Sequence, residues 1–157
     1  MAAANHCPEC GAALAPEETC ISKFHALLNR EWEISQDDPD FFNSSAGQTA
    51  HFFAVSCYAI QHSQGMGYTV AALLAARENV EAHLNGEMPI TAVLAKVRRS
   101  NEVNGRVLRK EGEPIHHWGV TRWPMTVNDV LATPVADYAQ TTQQWAEAIV
   151  KATQLHR

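Results

Sequence analysis

The chain has 157 residues, of which 46% are hydrophobic and 18% charged, and it carries a formal net charge of −5. That composition belongs to a folded globular chain rather than a disordered one, and the length suits one domain over 1–157 with a core of its own. The 12 Lys and Arg residues are scattered apart from Arg98-Arg99 and Arg109-Lys110 and make no broad basic face. This argues against nucleic acid and acidic membrane surfaces as partners.

The first distinctive stretch is Cys7-Pro8-Glu9-Cys10-Gly11, with a third thiol at Cys20. Cys-x-x-Cys-Gly lets two sulfurs point at one ion, because glycine takes the positive-φ backbone that such a knuckle needs. The residues ahead of Cys7 are too few, and uncharged apart from the amino terminus, for a secretory leader, and no apolar run is long enough to span a bilayer. The expected setting is therefore a reducing cytoplasm, where this pattern reads as a metal or redox feature. A thioredoxin-like pair should open a helix, whereas Gly11 and Pro16 follow here, so residues 1–20 read as a metal-binding head.

From Thr19 the pattern turns helical. Ile21, Phe24, Leu27, Leu28 and Trp32 predict an amphipathic first helix closed by the polar run Ser35 to Asp38 and Pro39. Phe41 to Gly47 reads as a connection anchored by Phe41-Phe42. A second helix is expected over about 48–62, a third over about 68–85 capped by Gly86, and a fourth after Pro89 bearing Ile90, Val93, Leu94 and Val97. Asn104-Gly105, between Val103 and Val107-Leu108, suggests a short hairpin. Glu111 to Pro124 is too rich in Gly and Pro for a helix. Thr126 to Asp129 forms a capping box for a short turn through Leu131, and Thr133-Pro134 is expected to start the last helix, with Thr as cap and Pro at its first position. Val135, Tyr138, Trp145, Ala148 and Ile149 supply that helix's apolar stripe. The fold class is mainly α: a small helical bundle with an N-terminal zinc-knuckle head and an irregular loop before the last helix.

Three thiolates leave one tetrahedral position open on zinc, and they suit iron as well. His25, Cys57, His51 and His62 are the candidates for the fourth ligand. Cys57 sits mid-helix among apolar neighbours and reads as a core thiol, and His83 as solvated surface. His51 and His62 share a helix face but stand about 16 Å apart along the axis, too far to bind one ion together. If the first two helices form an antiparallel hairpin, His62 returns to Cys20 while His51 lies near Arg30 and Glu31. His62 is the first choice and His25 the runner-up.

Cys7-Pro8-Glu9-Cys10-Gly11, Cys20 and the segment His51…Val55…Tyr58-Ala59-Ile60-Gln61-His62 together resemble an uncharacterised bacterial family, domain of unknown function 5946. Its pattern runs Cys-x-x-Cys-Gly…Cys…His…Thr-Val-Asp-x-Tyr-Ala-x-Gln-His-Pro. Thr126-Val127-Asn128-Asp129-Val130 and Trp145-Ala146 resemble its later segments. Ala54, Ser56 and Ser63 stand where the family shows Thr, Asp and Pro. The resemblance marks His51 and His62 equally, leaves His25 and Cys57 unmarked, and implies no reaction.

Two functions follow. One is a zinc-stabilised module that binds a protein partner or assembles with itself. The other is a small metal-dependent enzyme acting on a small molecule, with His51, Tyr58, His116 and His117 in acid–base roles around a pocket. The chain has no phosphate loop, nucleophile elbow or His-Glu-x-x-His, which favours the first.

Overall fold

The computed structural model describes residues 5–104 and 106–154. Two short strands, β1 (Asn5–His6) and β2 (Ala13–Leu14), pair antiparallel and form the head. Among the described residues six α-helices follow: α1 (Cys20–Asp37), α2 (Ser45–Gln61), α3 (Val70–Leu84), α4 (Ile90–Asn104), α5 (Val127–Leu131) and α6 (Tyr138–Ala152). The protein is a mainly α bundle with a knuckle-like head, as its periodicity predicts.

The middle of the bundle is α2. From Phe52 to Ile60 it is apolar on nearly every side, and such a stretch must be buried all round. Phe53, Ala54, Cys57 and Ile60 are almost wholly covered, with α3, α4 and α6 packed against them and Trp145 and Ile149 arriving from α6. The helix starts at Ser45, earlier than expected, because Ser44 is its cap and accepts from the Gly47 amide. Gly47 is buried against the preceding turn, where a Cβ would fall 1.6 Å from the Phe41 carbonyl oxygen.

Helix α1 runs antiparallel to α2 in a fixed register. Cys20 meets His62, Phe24 meets Tyr58, and Glu31 meets His51, so each step forward on α1 matches an equal step back on α2. The face that α1 buries is Cys20, Phe24, Leu27 and Glu31, which keeps Phe24 and Leu27 of the predicted stripe. Ile21 is 41% exposed and Trp32 61%. Apolar periodicity alone misses the rest of this face because its fourth member is a carboxylate.

Several connections differ from expectation. Phe41 is buried, but its neighbour Phe42 is exposed. Helix α4 continues through Val103 to Asn104, and the turn expected at Gly105 lies outside the described residues. Val107 to Arg109 pair with Gly67 to Thr69, through Thr69 N–H to Val107 O and Arg109 N–H to Gly67 O. Thr133 does not cap the last helix. Its hydroxyl donates to the Val130 carbonyl, Pro134 is extended, and a 3-10 turn over Val135–Asp137 precedes α6, leaving Val135 exposed. Arg30 fixes this course by donating to the carbonyls of Val130, Leu131 and Thr133. His83 is half-buried, donating to Met88 O and meeting the Thr49 hydroxyl.

Gly47→Ala is expected to destabilise the protein by on the order of 3 kcal/mol, since the new methyl overlaps backbone that must move. Urea melts of the two proteins check this, and a change within about 0.5 kcal/mol, the ordinary range for surface sites, contradicts it.

Candidate metal centre

The knuckle forms for local reasons. Cys7 N–H donates to Ala12 O, Gly11 N–H donates to Cys7 O, and Gly11 takes φ +84°. That chain reversal turns Cys7 and Cys10 to the same side, and the Ala12 amide points at the Cys10 sulfur from 3.4 Å. Cys20 is the first residue of α1, held there by the Thr19 capping box. His62 is the cap residue at the end of α2.

The helix end also orients the imidazole. The His62 amide donates to Ala59 O, which leaves the Tyr58 carbonyl without its usual helical partner. His62 Nδ1 donates to that carbonyl at 2.7 Å. A carbonyl only accepts, so Nδ1 carries the proton and Nε2 presents a lone pair.

Three sulfurs surround that lone pair. Cys20 Sγ lies 3.2 Å and Cys7 Sγ 3.6 Å from His62 Nε2, and Cys10 Sγ lies 3.7 Å from Cys20 Sγ. All four donor atoms fall within 4.8 Å of one another, and all four residues are buried. A tetrahedral zinc ion with ordinary bond lengths has sulfur–sulfur edges of about 3.8 Å and sulfur–nitrogen edges of about 3.5 Å. The four side chains thus fit an ion of that kind. Cys10 and Cys20 act on each other: the shared hydrogen bond pushes the Cys10 thiol up and, with His62 and the Tyr58 hydroxyl, holds the Cys20 thiol well below its ordinary value.

The head is tied to the body by more than these ligands. The Glu9 carboxylate accepts from the amides of Gln64 and Gly65, just past His62, where a Cβ on Gly65 would lie 2.6 Å from its oxygen. Trp123 Nε1 donates to Glu9 O, and Asn128 Nδ2 donates to Ala13 O. The irregular segment before α5 lies across the same end of α2, with Trp118 Nε1 on Ile60 O and Gln61 Nε2 on Met125 O. Nothing in the sequence marks Trp123; Glu9 and Asn128 lie inside the knuckle and capping-box motifs, but nothing local marks their partners.

The other candidates lie elsewhere. His25 is exposed on α1, and Cys57 is wholly buried in α2, where burial raises its thiol pKa. Tyr58 is buried between Phe24 and His62. His116 packs edge-on to Trp118, while His117 is exposed. His51 stands at the far end of the hairpin. Its Nδ1 donates to Glu31 at 2.6 Å, and Tyr138 from α6 donates to the other Glu31 oxygen. Glu31 is 1% exposed, so this network satisfies a carboxylate removed from water. The hydrogen bond to Glu31 raises the pKa of His51 above 6.5, outweighing partial burial. Neither of two surface grooves, one between α2 and α6 and one between the knuckle and residues 121–129, is lined by His51, Tyr58, His116 or His117.

Fold and site define a small α-helical protein with three cysteines and one histidine arranged so that they could hold a metal ion. A family model described as "Family of unknown function (DUF5946)" matches residues 5–154, and the chain belongs to that family. No curated protein and no solved structure matches the chain.

A histidine whose folded pKa is raised contributes stability that is fully present below its unfolded pKa and lost as pH rises through the folded one. The stability difference between the unaltered protein and His51→Gln should therefore be largest below about pH 6.5 and shrink above it. Urea melts across pH 5.5 to about 8.5 cover that window, and a pH-independent difference contradicts the pairing.

Proposed function

We propose that Cys7, Cys10, Cys20 and His62 hold one structural zinc ion, and that the chain is a zinc-stapled helical module that binds a protein partner, a second copy of itself included. The observation that carries the metal reading is the set of four donors within 4.8 Å of one another, three of whose separations, 3.2, 3.6 and 3.7 Å, lie close to tetrahedral edge lengths. Three thiolates and one imidazole are a structural zinc ligand set, and such a site contributes folding energy rather than chemistry. All four cysteines are free, as a thiolate centre in a reducing cytoplasm requires. No helix among the described residues is long and apolar enough to cross a membrane.

Partner binding is supported by the outer face of α1. Ile21 and Trp32 are exposed there with Leu28 half-buried between them, and apolar surface spaced along one helix face suits docking against another chain. Acid–base catalysis gains no comparable support: His51 is paired to Glu31 about two helical turns from Tyr58, and Tyr58 is buried in a ring stack.

Purified protein is expected to carry one equivalent of zinc. Cys7→Ser should lose it, and melting should fall by about 10 °C while the helical signal persists. Metal analysis with circular dichroism reads both outcomes, and a Cys7→Ser protein that keeps its zinc would show the ligand set to be wrong. Ile21→Ser combined with Trp32→Ser should weaken self-association in sedimentation without changing zinc content. If the unaltered protein sediments as a monomer at every concentration, self-assembly is excluded.

A further inference from the structure

The four ligands do not explain the residue between them. Tyr58 stands one turn before His62 and reaches both sides of the centre. Its carbonyl, released by the helix end, accepts from His62 Nδ1 at 2.7 Å. Its ring lies flat on the His62 imidazole, with centroids 3.8 Å apart and planes 17° off parallel. The other face of that ring stacks on Phe24 of α1 at 4.2 Å and 12°. Phe24 is one turn past Cys20, so the column Phe24–Tyr58–His62 spans the two helices that each supply a ligand.

From this placement we propose that Tyr58 is the positioning residue of the metal centre: its ring, backed by Phe24, sets the tilt of the His62 imidazole, and its carbonyl sets which ring nitrogen faces the thiols. The proposal rests on the zinc reading above. It gives Tyr58 a role other than acid–base catalysis, since a phenol buried between two rings has no reactant beside it. Outer-shell partners that orient a ligating imidazole are worth about 10–100-fold in metal affinity. A stacked ring limits the tilt of the imidazole, and it can be removed without touching a ligand or the carbonyl.

Cobalt(II) in place of zinc reports directly on ligand geometry, because its ligand-field bands shift when a ligand tilts or moves away. The test compares the full-length unaltered protein with Tyr58→Phe, Tyr58→Leu and Phe24→Leu. Each is loaded with cobalt for the absorption spectrum, and with zinc for its rate of transfer to a chelator. Tyr58→Phe keeps the stacked ring and should match the unaltered protein in ligand-field bands and release rate. Tyr58→Leu should keep one equivalent of metal, shift the ligand-field bands as the imidazole loosens, and release zinc about tenfold faster. Phe24→Leu should lower the melting temperature while leaving the ligand-field bands in place, which separates positioning from ordinary packing. If Tyr58→Leu matches the unaltered protein in spectrum and release rate, the role assigned to Tyr58 is wrong and the zinc reading stands. If the unaltered protein takes up neither cobalt nor zinc, the metal reading fails and takes this proposal with it.

Discussion

A histidine at the end of a buried helix must offer one ring nitrogen to three thiols drawn from two other places in the chain, and the surrounding structure follows from that convergence. His62 can do this because α2 stops one residue earlier and leaves the Tyr58 carbonyl free to fix the imidazole. Cys20 can do it because the Thr19 cap starts α1 at that residue. Cys7 and Cys10 arrive on a turn too short to have a core of its own, and the Glu9 carboxylate docks that turn onto the amides beyond His62. Two thiols, a helix start and a helix end thus meet at one point, each placed by backbone hydrogen bonding rather than by apolar contact.

The α1–α2 hairpin has a polar fixture at each end. At one end lies the cysteine–histidine cluster, and at the other the buried Glu31 held by His51 and Tyr138. Between them Phe24 stacks on Tyr58. A purely apolar seam tolerates sliding, whereas a slip by one turn here would leave a carboxylate, an imidazole and several thiols without partners. Burying such groups unpaired costs several kcal/mol each, so the polar ends select one register while the bulk of the burial lies in α2, α3 and α6.

What the sequence discloses is what neighbouring residues decide. The knuckle, the capping box of Thr126 and Asp129, the extent of α5 and the glycine after α3 are all local, and the structure has them where the spacing puts them. The approach of His62 to Cys20 is legible for a related reason: an antiparallel hairpin fixes which ends meet. Features set by distant residues are not legible. Glu31 is buried because His51 and Tyr138 come to it, so apolar periodicity finds Phe24 and Leu27 on the inner face of α1, misses Glu31, and adds Trp32, which is exposed. The last helix begins later than Thr133-Pro134 suggests because Arg30, about 100 residues earlier in the chain, holds the carbonyls of that turn. His83 looks like surface by composition and is drawn inward by Thr49 and the Met88 carbonyl.

Because the account turns on a single coordination shell, the most direct measurement is X-ray absorption at the zinc edge of protein purified without added metal. Three sulfur scatterers at about 2.3 Å and one imidazole nitrogen at about 2.0 Å, with the multiple scattering of a histidine ring, are the predicted result. A shell holding light oxygen scatterers in place of any of these, or a preparation with no metal and a disulfide among Cys7, Cys10 and Cys20, would contradict it.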